Sequence, residues 1–203
     1  MADVNIGPLA AIMAQQRSGT HMLGSCIGSH PNVKYTGEIF CRNVPTSWAR
    51  LVDTVKRVEC GGWDVIVLDV KYNQISPPVE QLLREIPVIH LLRQDERRLY
   101  FSGQLHSYWG SHPKDKERGF IPTLAFHQPT FDAIMYARQW AIQKFSYLED
   151  LRLVYEDLTD NQEVTELPAW ACRRICETLG VEYRILTTDY KKNAPRGIEQ
   201  FLT

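Results

Sequence analysis

The stretch Leu9-Ala10-Ala11-Ile12-Met13-Ala14-Gln15-Gln16-Arg17-Ser18-Gly19-Thr20-His21-Met22-Leu23 decides how this chain is read. Its first six residues are apolar and uncharged, which suits a strand buried on both faces. From Met22-Leu23 to Cys26-Ile27 the apolar residues recur at helical spacing, so a tight turn and a helix follow. Gly19 lets the backbone of that turn pass close to a ligand. The start of the helix leaves N–H groups unpaired, and its dipole favours an anion. Arg17 adds a fixed positive charge with several donors. The turn therefore suits a phosphate or sulfate group. Read by itself, it suits a plain glycine turn with a solvated arginine equally well.

Outward from this unit, strand-length apolar runs recur at Val65–Val70, Val88–Leu92 and Leu151–Tyr155. Helical patterns lie between them. Thr46–Glu59 repeats Trp48, Leu51, Val52, Val55 and Val58 at helical spacing, and Pro78–Glu85 carries proline in its first turn. Phe131–Tyr147 and Pro168–Leu179 are further helices, the latter closed by Gly180. Short continuous apolar runs alternating with helices predict an α/β domain in three layers, with a central parallel sheet flanked by helices. Ligands of such sheets bind beyond the carboxyl ends of the strands. Arg17, Lys71, Arg93 and Glu156 stand at or just past those ends, so they are expected on one edge of the sheet.

The 203 residues are expected to form one domain, and a net charge of −1 argues against general nucleic-acid or anionic-membrane binding. An anion site must then be built locally from a few basic residues. The five cysteines, Cys26, Cys41, Cys60, Cys172 and Cys176, match no zinc spacing. Reduced thiols in a cytoplasmic protein are expected. The N-terminal apolar run is too short for a signal peptide or a membrane span.

The loop departs from the Walker pattern, since no glycine opens it and Arg-Ser-Gly-Thr replaces Gly-Lys-Ser/Thr. It resembles instead the 5′-phosphosulfate loop of sulfotransferases that use 3′-phosphoadenosine 5′-phosphosulfate (PAPS), in the bacterial carbohydrate-type branch. A second match is Leu91-Leu92-Arg93-Gln94-Asp95-Glu96-Arg97-Arg98-Leu99-Tyr100-Phe101-Ser102. An arginine leaving a strand and a serine in the next helix resemble the family's 3′-phosphate motif. Three more stretches are similar to family segments: His30-Pro31-Asn32-Val33 through Gly37-Glu38-Ile39-Phe40, Leu153-Val154-Tyr155-Glu156-Asp157-Leu158, and Arg173 to Val181. The resemblance runs from about Leu9 to Phe201, and Gln104–Tyr147 holds no matching motif.

This resemblance implies a P-loop nucleotide-kinase-like fold and transfer of a sulfuryl group from PAPS to a hydroxyl, leaving adenosine 3′,5′-bisphosphate. The acceptor is expected to be a carbohydrate or other small molecule, and no metal is required. It implies cofactor contacts from Arg17, Ser18, Gly19, Thr20, His21 and Met22 at the 5′ side, and from Arg93 and Ser102 at the 3′ side. Lys191, Lys192 and Arg196, in the basic tail 187–203, are expected as a group to close on the cofactor. Arg17 is the candidate for stabilising the leaving phosphate oxygen. Lys71 is expected at the acceptor or the transferred group. Glu38 is the first candidate for general base, with His106 as the other, histidine being the commonest base near neutral pH. Residues 107–128, rich in Gly, Pro, Lys and His, read as a lid or acceptor loop. Two other functions stay open: a P-loop-type kinase or NTPase, with Asp69 in a metal-holding role, and a non-catalytic nucleotide-binding module.

Overall fold

Four runs of apolar residues are spaced so that each can pair with a parallel neighbour across a helical crossover, and they do so, joined by a fifth, short strand. The computed structural model describes residues 8–58, 62–160 and 164–190. In chain order the elements are β1 (Leu9–Ala14), α1 (Thr20–Gly28), β2 (Val33–Tyr35), α2 (Trp48–Lys56), β3 (Val65–Lys71), α3 (Pro77–Leu83) and β4 (Val88–Leu92). There follow α4 (Glu96–Ser111), α5 (Pro113–Glu117), α6 (Gln128–Phe145), β5 (Leu151–Val154), α7 (Tyr155–Thr159) and α8 (Ala169–Leu179). The five strands form one sheet in the order β2-β3-β1-β4-β5, every pair parallel.

The pleat sorts β1 between two cores. Ala10, Ile12 and Ala14 face one side with Leu23, Ile27, Cys172 and Ile175 of α1 and α8. Leu9, Ala11 and Met13 face the other with Leu51, Val55, Val79, Leu82 and Phe145 of α2, α3 and α6. This is the expected three-layer single α/β domain. Each fully buried Leu, Ile or Phe contributes roughly 1.5–3 kcal/mol, and β1 and β3 are buried along their whole lengths. Local signals fix the helix ends. Ser47 accepts a hydrogen bond from the Arg50 N–H and Asp95 one from the Arg98 N–H, while Gly180, at φ 69°, closes α8 in the left-handed conformation. Among the described residues no helix is long and apolar enough to cross a membrane.

Three elements differ from the sequence reading. β2 has three residues, too few for periodicity to reveal. α7 starts directly at Tyr155, where the strand pattern was expected to continue. Residues 107–128 are regular in their first half, since α4 runs to Ser111 and α5 follows. The Trp109 indole donates to the Phe120 carbonyl at 3.0 Å, the Tyr108 hydroxyl to Asp115 at 2.7 Å, and Trp109, Ile121 and Leu124 pack on Phe101 and Leu105. These contacts outweigh the low helix propensity of Gly103 and Gly110.

The connection from β1 leads towards β2 on one side, and that from β4 leads towards β5 on the other. The crevice where such connections part, beyond the carboxyl ends of the strands, is where open α/β sheets bind ligands. Here it lies between β1 and β4, bordered by Arg17 and Arg93.

Candidate active site

The loop after β1 takes a shape that few sequences tolerate. Arg17 has φ 69° and Gly19 φ 96°. Gly19 begins α1 with no side-chain cap, so the first N–H groups of the helix are open to a ligand. A Cβ on Gly19 would stand 2.3 Å from the Tyr155 ring. Glycine is thus required twice, for its φ and for its missing side chain.

Arg17 and Arg93 meet across the crevice. Arg93 Nη1 donates to the Arg17 carbonyl at 3.0 Å, and Arg17 Nε donates to Ser102 Oγ of α4 at 3.1 Å. Tyr155 supports both, packing against Gly19 with its ring 5.0 Å from the Arg93 guanidinium carbon. Glu156 accepts from the N–H groups of Gln94 and Asp95, at 2.9 and 3.1 Å, and so fixes the loop that presents Arg93. Arg138 of α6 donates to the Arg93 carbonyl at 2.5 Å. Burial pushes the Arg17 and Arg93 guanidinium groups below their usual range, against the opposing pull of nearby acidic groups. Among the described residues, two buried polar atoms here, Ser18 Oγ and Arg93 Nε, have no hydrogen-bond partner, although Glu156 Oε1 forms a longer ion pair with Arg93 Nε at 3.9 Å. Such atoms carry a cost of about 1–3 kcal/mol each unless a ligand satisfies them.

The floor of the site is a buried charged network. Lys71 Nζ, 2 % exposed, lies 2.5 Å from both Thr20 Oγ1 and Asp69 Oδ1. Asp69, wholly buried, also accepts from the Tyr35 hydroxyl at 2.9 Å. Burial and the Asp69 charge push Tyr35 upward, keeping it a donor. Glu38 Oε1 is 3.4 Å from Lys71 Nζ and 3.8 Å from His21 Nε2, and Gln74 donates to its other oxygen at 3.4 Å. Lys71, expected at the acceptor or the transferred group, has its ammonium turned inward, where Asp69 two residues earlier and Thr20 hold it. Thr20 does not cap its own helix, since its hydroxyl receives Lys71.

His106, exposed on α4, is held below the usual imidazole range by burial of part of its ring and by Arg17 and Lys116, outweighing Glu38. The Met22 side chain lies in the core, 3.7 Å from Cys26 Sγ, so only its backbone is available to a ligand. The Tyr190 ring stacks 6.5 Å from His21. Lys191, Lys192, Arg196 and Cys60 lie outside the described residues. Tyr35 and Gln74 carry no sequence signal as site residues, whereas Asp69 was a candidate metal holder in the kinase reading and Tyr155 lies in a stretch similar to a family segment. Asp69 and Gln74 flank Lys71, and a polar residue inside an apolar strand is the one hint that marks Asp69.

The five-stranded parallel sheet with helices on both faces, and a phosphate-type loop after its central strand, define a P-loop-like α/β domain of the kind sulfotransferases use. Among solved structures the chain is similar to the crystal structure of mouse sulfotransferase SULT7A1 complexed with PAP, with a TM-score of 0.51 and 13 % identity over 87 % of this chain. The chain spans 60 % of the length of that protein. At this identity the likeness is one of fold. No protein-family model matches the sequence, and no curated protein matches it.

Proposed function

We propose that this protein is a PAPS-dependent sulfotransferase of the bacterial carbohydrate-type branch, acting in the cytoplasm on a hydroxyl of a carbohydrate or other small molecule. The supporting observation is the convergence of two basic motifs, 76 positions apart, through the Arg93–Arg17 hydrogen bond. Two separated cationic subsites at one crevice suit a nucleotide with separate 3′ and 5′ anions. Ser18 Oγ and Arg93 Nε, which make no hydrogen bond among the described residues, fit such a ligand, which would supply acceptors to them.

PAPS supplies the sulfuryl group and a phosphate as leaving group. Arg17 and the N–H groups of Gly19, Thr20, His21 and Met22 bind the 5′ anion, with Ser18 donating its hydroxyl. Arg93 and Ser102 bind the 3′-phosphate, and the tail with Lys191, Lys192 and Arg196 closes over it. Arg17 neutralises charge on the departing phosphate oxygen. Glu38 accepts the proton of the acceptor hydroxyl, with His106 as the alternative base. Residues 107–128 border the acceptor. Lys71 acts through Thr20 and Glu38, which it holds in place. Positioning and fixed charge carry most of such a transfer.

A thermal-shift comparison tests this reading. Adenosine 3′,5′-bisphosphate should stabilise the protein without magnesium, by about 2.7 kcal/mol at a hundredfold excess over its dissociation constant. Equal stabilisation by AMP would overturn the two-subsite argument, and dependence on magnesium would favour a kinase or NTPase. Turnover with PAPS separates an enzyme from a non-catalytic binding module.

A further inference from the structure

We infer that the Lys71 ammonium is a tethered cation standing where phosphate-transferring proteins of this fold hold a divalent metal ion, and that removing it opens a metal site formed by Thr20, Glu38, Asp69 and His21. In P-loop NTPases the metal is held by the Ser or Thr two positions after the loop's last glycine and by an Asp on a neighbouring strand. Here His21 stands at that position, and a hydroxyl comes instead from Thr20 one residue earlier, with Asp69 supplying the carboxylate. Thr20 is the first residue of α1, and Asp69 lies on β3, paired with Ile12 of β1. Between them is not a gap but Lys71 Nζ, 2.5 Å from each.

The surrounding residues keep the lysine there. Gln74 Oε1 accepts from the Lys71 N–H at 2.9 Å, fixing the backbone, and its amide reaches Glu38. Asp69 gives one oxygen to Lys71 and the other to Tyr35, so its orientation is set. Tyr35 fits because Gly24 lacks a side chain, and a Cβ there would stand 2.1 Å from the ring. Glu38 Oε1 lies 3.4 Å from the ammonium. One donor atom each from His21, Glu38 and Asp69 lies within 4.8 Å of the others. Two ligands of a single Mg²⁺ or Mn²⁺ are at most about 4.2–4.4 Å apart, within a small side-chain adjustment. With Lys71 present, its positive charge repels a metal ion from these groups. Without it, buried Asp69 is left uncompensated, and a divalent cation is the natural replacement.

The inference rests on the fold and these distances, and its metal arm does not depend on sulfuryl transfer. Mn²⁺ titration followed by electron paramagnetic resonance of the free ion tests it on three proteins: wild type, Lys71→Ala, and Lys71→Ala combined with Asp69→Asn. Lys71→Ala should bind one Mn²⁺ per chain at least about tenfold more tightly than the other two proteins, a difference of about 1.4 kcal/mol. Its melting temperature should rise with Mn²⁺ while that of wild type stays constant. Binding by Lys71→Ala no tighter than by wild type, or retained binding in the double variant, would overturn the inference. Should Lys71→Ala not fold in a chelator, refolding in millimolar Mn²⁺ decides: recovery supports the site, and no recovery overturns it. Failure of adenosine 3′,5′-bisphosphate to bind wild type would remove the sulfotransferase reading and leave the Mn²⁺ result intact.

Discussion

Arg93 holds Arg17 by its backbone: Arg93 Nη1 donates at 3.0 Å to the carbonyl of a residue whose φ is 69°. A non-glycine residue in that region costs of order 1–2 kcal/mol, and this bond offsets part of it. Arg93 is thus also a support of the loop that presents Arg17.

Arg93→Ala should therefore weaken two ligands unequally. Calorimetry should show a loss of about 1.5–3 kcal/mol for adenosine 3′,5′-bisphosphate, the scale of a charge-assisted bond. AMP should lose less, about 1 kcal/mol, from loosening of the Arg17 loop. An equal loss for both would assign Arg93 to loop support alone.

Gly19→Ala should destabilise the protein by about 2–4 kcal/mol in urea unfolding, since it combines left-handed strain with overpacking. The added Cβ would press on Tyr155, which also carries Arg93. Anion binding should fall along with stability. A variant of unchanged stability would mean that Tyr155 moves freely, against its buried position.

Tyr35→Phe should cost about 1.5–3 kcal/mol, because buried Asp69 loses a hydrogen bond to its charged form. Urea midpoints of the two proteins measure it. The bond is 2.9 Å long in the fold interior, so the loss should vary little with salt.

The candidate bases separate by substitution. Glu38→Gln should lower turnover about 10²–10⁴-fold with donor affinity nearly unchanged. His106 sits below 6.5 because of burial, Arg17 and Lys116. With His106 as base, the rate should drop as pH falls through a value below 6.5, and His106→Ala should abolish turnover. Activity in both variants would mean that no protein base is used.

Stability should fall as pH drops below about 6.5. His90, wholly buried between Tyr72 and Glu149 with Arg152 and Arg138 near, has its pKa lowered from 6.5, burial outweighing the pull of Glu149. The unfolded chain then binds the proton more readily than the native state, so this contribution is complete above about 6.5 and is lost as pH falls towards the native value. The pH slope of the melting temperature should be smaller in His90→Gln. An unchanged slope would shift the effect to other groups.

Continuous apolar runs at Leu9–Ala14, Val65–Val70 and Val88–Leu92, with helical spacing between them, were enough to predict the parallel α/β sheet. So was the meeting of Arg17, Lys71, Arg93 and Glu156 on one edge, because all four follow strands of one direction. These features depend on neighbours a few positions apart, and local periodicity reports them. β2 was not legible at three residues, nor was the helical half of 107–128, which folds through contacts such as Trp109 with Phe120. Within the site, sequence order alone could not reveal that Lys71 turns inward to Asp69 and Thr20, that Tyr35 enters where Gly24 leaves room, or that Tyr155 joins the Gly19 and Arg93 loops. Those pairings span up to 136 positions from Gly19 to Tyr155. They exist only once strands β1, β3, β4 and β5 bring their carboxyl ends together, for hydrogen bonds and van der Waals contact act over a few ångströms of space, whatever the distance along the chain.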